Sequence, residues 1–243
     1  MNRIIGFDRR LRFDWLDDAV GLCRDGIEPG VIAAQLNDRL EREIAGSEAR
    51  RKTVTVLLRI WVNVPGECKR LRGEALDLAA QIQPAERLWL HWGMALLAYP
   101  FFRDVAGTVG HLGRLQGALG HAQVQRRMTE AWGQRTTLER AVQRVLRTLV
   151  DLDVLTETGR RGQYSIAPVR RTQDQDLALW ALECALRVHE AEQVPIEELG
   201  HLAYMFPFDV SSHLNEVRCS GRFESVRQGL DLEMVAVNGW LTW

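Results

Sequence analysis

Apolar residues in the first 84 positions recur at spacings of three and four, which is the pattern of short helices with one buried side. Glycine and proline interrupt this pattern and mark the ends of the helices. The breaks fall at Gly26, Gly46, Pro65 and Gly66. The predicted helices cover residues 15–24, 29–44, 47–63 and 67–81. Residues 1–84 are therefore expected to form a helical N-terminal domain.

The next segment, residues 84–117, is apolar enough to form the buried centre of the molecule. Pro100 is expected to kink or split it, because proline removes a backbone donor and clashes with the preceding helical turn. Most of the bulk of this predicted core comes from Trp89, Trp92, Tyr99, Phe101 and Phe102.

Residues 119–168 predict a helix, a turn, a second helix and a hairpin in that order. The first helix covers 121–132, and Gly133 permits the tight turn that a helix-turn-helix needs. Thr136 and Glu139 match a capping box, in which a threonine caps the new helix and a glutamate reaches back to it. This order of elements is typical of a winged helix-turn-helix.

The second helix of this unit has one apolar side and one arginine-rich side. The apolar side consists of Leu138, Ala141, Val142, Val145, Leu146 and Leu149. The polar side and the residues just before the helix supply Arg135, Thr137, Arg140, Gln143, Arg144 and Arg147. Guanidinium groups suit phosphates and base edges. We therefore expect the first side to face the core and the second to contact a groove of double-stranded DNA.

Two strand-like runs, 154–158 and 163–166, surround a tip bounded by two glycines. Such a pattern predicts a β-hairpin. Directly after the second helix, this hairpin is in the position of a wing. Its tip carries Arg160 and Arg161, which are expected to reach the phosphate backbone.

The formal net charge of −1 is unevenly distributed along the chain. Residues 50–72 and 103–172 each carry +6, whereas residues 173–243 carry −8. The basic segments suit a polyanion. In the first of them Arg50, Arg51 and Lys52 are candidates for a second DNA anchor, the alternative being an ordinary solvated surface.

The acidic C-terminal section shows a similar order of elements. Helices are predicted at 173–190 and 196–204, then a short helix that ends near 220 and a hairpin of residues 223–226 and 230–237. We expect a mainly α protein with an N-terminal helical domain (1–84), a winged helix-turn-helix domain (85–172) and an acidic, winged-helix-like C-terminal domain (173–243). The acidic domain is expected to dock a partner protein or to shield the basic face.

No pattern predicts an enzyme, a metal site or a cofactor. The motifs GxxxxGKS, GxSxG and HExxH are absent. Asp231 and Glu233 are the nearest approach to a nuclease carboxylate pair, but no lysine follows Lys69. The four cysteines have no short-spaced pair, so neither a disulfide framework nor a zinc site is expected, and they are predicted to be reduced and mostly in the core.

Membrane contact is not expected either. No apolar run approaches the roughly 18 to 20 residues of a membrane-spanning helix, and the N-terminus lacks the apolar stretch of a signal peptide. A cytoplasmic protein is the expectation.

Over residues 15–168 the chain combines a small helical N-terminal domain with a basic helix, an aromatic segment ending in YPFFRDV, and the block WGQRTTLERAVQRVLRTLVDLDVL. This layout is similar to that of the BrxA component of BREX phage-defence systems. The resemblance implies an all-helical, two-part DNA-binding accessory protein without enzymatic activity, acting beside larger defence proteins. The acidic C-terminal section lies outside the resemblance.

Two other functions stay open at this point. The first is a transcription regulator. The second is a scaffold whose winged helices assemble a multi-protein complex and whose arginines bind acidic protein surfaces. A homodimer would raise the affinity for DNA, and the sequence neither predicts nor excludes one.

Overall fold

The protein is mainly helical and carries two small antiparallel sheets. The computed structural model describes residues 4–228 and 232–239. Its α-helices are α1 (Phe13–Arg24), α2 (Pro29–Leu40), α3 (Ser47–Trp61), α4 (Lys69–Gln81), α5 (Arg87–Ala98), α6 (Pro100–Gln116), α7 (His121–Trp132), α8 (Leu138–Asp151), α9 (Gln175–Arg187) and α10 (Leu214–Cys219). Its strands are β1 (Ala118–Gly120), β2 (Leu155–Glu157), β3 (Gln163–Ile166), β4 (Val194–Pro195), β5 (Phe223–Gln228) and β6 (Leu232–Val237). Among the described residues, none of the helices combines the length and the apolar character needed to cross a lipid bilayer.

The predicted central segment forms two helices, as expected from Pro100. This proline is the first residue of α6, where its missing N–H has no helical acceptor to lose. The five predicted aromatic residues of the segment are all buried. Trp89 and Trp92 contact Phe208 from the C-terminal part of the chain, with ring centroids 4.2 and 5.6 Å apart. The apolar centre therefore joins residues from both halves of the sequence in one core.

Gly110 lets α6 approach the C-terminal part of the chain closely. A Cβ atom there would collide with the carbonyl oxygen of Ala203 and lie 2.8 Å from Cβ of Phe206. Gly107, one turn earlier on the same helix, has more room, because its Cβ would be 3.8 Å from Cβ of Tyr204.

Gly110→Ala is expected to lower the free energy of unfolding by about 3 kcal/mol, since the backbone of the neighbouring segment must move to admit the methyl group. The control Gly107→Ala is expected to raise it by about 0.5–1 kcal/mol, because alanine is the better helix former. Urea unfolding of both variants measures the difference. Equal stabilities would show that the close approach is not present.

The first sheet has the strand order β1-β3-β2 and is antiparallel throughout. The predicted hairpin is confirmed as β2 and β3, with Thr156 paired to Ser165. Strand β1 was not predicted; it lies before α7 and pairs Leu119 with Tyr164. The sheet thus ties the segment before α7 to the hairpin after α8.

The second sheet has the order β4-β6-β5. Its hairpin strands β5 and β6 agree with the sequence prediction, although Gly229, Leu230 and Asp231, which the prediction included, lie outside the described residues.

The helix predicted at 196–204 is wrong, because two short 3-10 segments, Ile196–His201 and Ala203–Met205, replace it. The apolar spacing that suggested a helix reflects burial of Ile196 and Leu199 in tighter turns.

The cysteines are free, as predicted. Cys23, Cys68 and Cys184 are buried, whereas Cys219 is exposed at the end of α10.

Residues 4–12, called here the strap, contain neither helix nor strand and lead directly into α1. Phe7 anchors the strap: it is buried, and its ring centroid lies 5.2 Å from those of Tyr99 and Phe102. Leu11 is also buried, and its N–H donates to Oγ1 of Thr148 on α8 at 2.8 Å. The strap therefore lies against α8, although the two segments are far apart in the sequence.

Candidate nucleic-acid interface

Helix α8 separates its side chains as the sequence predicts. All six apolar residues of its predicted inner side are buried. On the outer side Arg140, Gln143 and Arg147 are exposed, and Arg144 is partly exposed. The seven-residue spacing places Arg140 and Arg147 on the same side of the helix, about 10 Å apart along its axis. Neither guanidinium forms an ion pair with another described residue, so both are available to an external anion.

The entry into α8 differs from the prediction. Thr137 occupies the N-cap position but has a helical backbone (φ −89°, ψ −16°), and no side chain caps the helix there. The predicted capping box of Thr136 and Glu139 is therefore wrong. The reason is local: a turn closed by the Leu138 N–H donating to the Arg135 carbonyl at 3.1 Å leads directly into the helix. Thr137 is exposed at this end, and Arg135 is half-buried.

One flank of α8 faces the hairpin across a cleft with a volume of about 540 Å³. Gly162, with φ +73°, provides the left-handed backbone that closes the hairpin tip. The charged and polar side chains along the cleft belong to His121, Gln143, Arg147, Glu157, Thr158, Arg160, Arg161, Gln163 and Tyr164. Arg160 and Arg161 are exposed and form no ion pair within the described part of the chain, as the wing prediction requires. The cleft is thus predominantly cationic.

His121 is a lining residue that the sequence did not indicate. It is the first residue of α7, and its Nε2 atom is buried without a hydrogen-bond partner among the described residues. The backbone N–H of His121 donates to the backbone carbonyl of Gly162 at 2.8 Å, which places His121 beside the hairpin tip. Only the pairing of β1 with β3 brings it there, so no local sequence signal was present.

The other flank of α8 is covered by the strap. Nη2 of Arg10 donates to Oδ1 of Asp151 at 2.6 Å, and Nε of Arg10 bonds the second carboxylate oxygen. This bidentate pair fixes the strap at the C-terminal end of α8. Nη1 of Arg144 donates to the backbone carbonyl of Asp8 and lies 3.8 Å from Oδ2 of the same residue.

The prediction for Arg144 therefore needs correction. It was expected to be as free as Arg140 and Arg147, but its position turns it towards the strap, where Asp8 engages it. Burial lowers the pKa of the Arg144 guanidinium, the charges of Arg9 and Arg140 lower it further, and Asp8 opposes them. The charge of Arg144 is therefore partly screened by Asp8, whereas Arg140 and Arg147 form no ion pair with any of the described residues.

Arg50 lacks the exposed guanidinium that the predicted DNA anchor requires. Its side chain is buried because it turns back to the end of the α2 region, where Nη1 donates to the carbonyls of Ile44 and Ala45 at 3.0 and 3.1 Å. Nη2 completes the set with Oε1 of Glu41 at 3.1 Å. The structure thus assigns Arg50 the role of holding the connection between α2 and α3.

Arg51 and Lys52 are exposed, but both share the carboxylate of Glu48, at 2.9 and 3.1 Å. Their hydrogen bonds lower the pKa of Glu48 to about 2. Glu48 is therefore charged at neutral pH and offsets part of the positive charge that the sequence count assigned to this cluster.

No protein-family model matches the chain, and no match was found to a curated protein or to a solved structure.

Proposed function

We propose that the protein binds double-stranded DNA through a winged helix-turn-helix that extends from α6 to β3, with α8 entering the major groove. The observation that carries this proposal is the pair Arg140 and Arg147, exposed and without an ion-pair partner among the described residues, on a helix whose other side is buried. Arginine reads guanine edges and holds phosphates in bidentate fashion. A major groove about 12 Å wide accepts one helix.

The order of elements supports the same proposal. Helix α6 precedes β1, the helices α7 and α8 follow, and the hairpin β2–β3 completes a sheet in the order β1-β3-β2. This order of elements supports a winged helix, in which the second helix of the helix-turn-helix would be the recognition helix and the hairpin would contact the flanking DNA backbone. Arg160 and Arg161 stand at the tip of that hairpin, where the backbone would pass.

The salt dependence of binding tests this proposal. If about five arginines neutralise phosphates, the log–log slope of affinity against salt is expected to be roughly −4 to −5 between about 50 and 200 mM salt. The measurement is fluorescence anisotropy of a labelled duplex. Absence of binding at about 50 mM salt, where phosphate contacts are strongest, would contradict DNA binding.

The wing gives a separate prediction. Arg160→Ala with Arg161→Ala is expected to make the slope shallower by about 2 and to weaken binding by on the order of tenfold or more, through the loss of two phosphate contacts. The control is Arg39→Ala with Arg218→Ala, which removes the same charge from two exposed arginines held by Asp18 and Glu233. Equal slopes in the two double variants would exclude the wing from the interface.

We place this activity in a non-enzymatic accessory protein or regulator of a phage-defence system, on the basis of the resemblance to BrxA. The section 173–243, with its net charge of −8, is the part we assign to contacts with partner proteins. The rival is a scaffold in which the arginines bind acidic protein surfaces. Failure of the wild type to bind DNA, together with binding of an acidic partner that depends on Arg140 and Arg147, would favour that rival.

A further inference from the structure

Two arginines from distant parts of the chain converge on Asp8. Nη1 of Arg9 donates to the backbone carbonyl of Asp8 at 2.6 Å and lies 3.1 Å from its Oδ2. Nη1 of Arg144 donates to the same carbonyl and lies 3.8 Å from the same Oδ2. The strap and α8 thus bring two guanidinium groups to the oxygens of one residue.

The positive charge at this point exceeds the negative charge. Asp8 is the acidic partner of both Arg9 and Arg144 in the described part of the chain, and Arg140 adds a third guanidinium whose field reaches Arg144. Arg9 is also poorly satisfied: its side chain is only 14% exposed, and its Nε has no hydrogen-bond acceptor among the described residues. A guanidinium carries five donors, so most of the donors in this cluster have no acceptor among the described residues.

The position of the cluster fits a DNA backbone. Successive helical residues are rotated by about 100°, so Gln143 and Arg147 turn to the hairpin side of α8 while Arg144 turns to the strap side. A helix in the major groove has a phosphate backbone on each flank. The wing occupies one flank and the strap the other.

We infer that Arg9 and Arg144 form a second phosphate site, on the strap side of α8 beside Arg140, and that Asp8 is the internal counter-ion which a DNA phosphodiester displaces. This inference rests on the proposed function and extends the interface to the N-terminal strap. A phosphodiester supplies anionic oxygens that accept several N–H bonds from guanidinium groups at once. Asp8 offers one carboxylate to the same groups and so competes with DNA.

Two substitutions with opposite expected effects on the affinity for DNA test the site. Arg9→Gln is expected to weaken duplex binding about five- to tenfold and to make the salt slope shallower by about 0.9, the contribution of one phosphate. Arg9→Lys is expected to keep the slope, because it keeps the charge. Asp8→Asn is expected to strengthen binding about three- to tenfold, since it removes the competing carboxylate.

The matched control is Arg12→Gln. Arg12 belongs to the same strap and carries the same charge, but it is held by Asp14 at 3.0 Å and Glu43 at 2.6 Å. Its loss is expected to leave the slope at the wild-type value. Thermal unfolding of each variant separates binding from folding, because a purely structural role for this cluster would make Asp8→Asn and Arg9→Gln weaken binding together as the melting temperature falls.

The outcomes for the two proposals differ. If the wild type binds DNA and depends on Arg140 and Arg147, but Arg9→Gln behaves like Arg12→Gln, the strap site is wrong and the winged-helix interface stands. If Asp8→Asn weakens binding with an unchanged melting temperature, the role of Asp8 as a competing counter-ion is wrong. If the wild type does not bind duplex DNA at all, both the proposed function and the strap site are wrong.

Discussion

Replacing Arg140 and Arg147 by alanine is expected to weaken duplex binding by about a hundredfold or more while the protein stays folded. Each well-placed arginine contact with a base edge contributes about 1–3 kcal/mol, and these two lie at the centre of the outer side of α8. Both are exposed, so their truncation removes little packing. Fluorescence anisotropy on a labelled duplex gives the affinity, and circular dichroism checks the fold.

The charge-matched control for this variant is again Arg39→Ala with Arg218→Ala. It changes the net charge equally but touches side chains bound to Asp18 and Glu233. The control is expected to bind within about threefold of the wild type, because both arginines are already paired with carboxylates and belong neither to α8 nor to the hairpin. Similar losses in the two variants would mean that α8 contributes only general charge and does not enter the groove.

Replacing Glu183 by alanine is expected to lower the free energy of unfolding by about 3–5 kcal/mol. Glu183 on α9 is 1% exposed and binds three arginines. Nε of Arg187 is 3.0 Å from its Oε1, Nη1 of Arg222 is 2.8 Å from its Oε2, and Nη2 of Arg70 contacts Oε1. Without the carboxylate, the partly buried guanidinium groups lose their shared acceptor, and this uncompensated charge is costly.

Glu74→Ala is the comparison for Glu183→Ala. Glu74 bonds Arg70 and Arg222 as well, but it is 29% exposed, so water replaces it more readily. We expect a loss of about 1 kcal/mol, as for a solvent-accessible ion pair. Urea unfolding measures both variants. If Glu183→Ala lowers the free energy of unfolding no more than Glu74→Ala does, the burial of Glu183 does not make its carboxylate more important for stability.

The two-sided character of α8 was predictable because it depends only on the helical period. Leu138 and Leu149 had to be buried, and Arg140 and Arg147 then had to face outwards. Pro100 divided the central segment for an equally local reason, since its ring is incompatible with a continuous helix. The features that the sequence predicted correctly are those decided within one or two helical turns.

The strap was not predictable by the same reasoning. Asp8 and Arg144 are separated by 136 positions, and residues 4–12 have no periodic pattern that indicates a docking surface. Arg144 and Arg147 both lie on the outer side of the helix, but only Arg144 turns towards the strap and contacts Asp8. The sequence therefore predicted the exposed arginine side of α8, but it did not indicate the strap contact or the cluster around Asp8.

Short elements account for most of the remaining differences. Strand β1 has three residues and β4 has two, which is too few for an alternating pattern to appear in the sequence. The burial of Arg50 had a related cause: a basic run indicates a solvated surface, whereas here one member folds back to satisfy the carbonyls of Ile44 and Ala45. Backbone acceptors of this kind leave no trace in the residue pattern.

The most direct test of the account is photo-cross-linking from the outer side of α8. A p-benzoylphenylalanine residue is placed at Gln143, between the two central arginines, and separately at Asp38, an exposed position on α2. With a duplex bound and light applied, the account predicts a covalent protein–DNA adduct from position 143 and none from position 38. Adducts of equal yield from both positions, or none from position 143 under conditions where the protein shifts the duplex, would contradict insertion of α8 into the DNA groove.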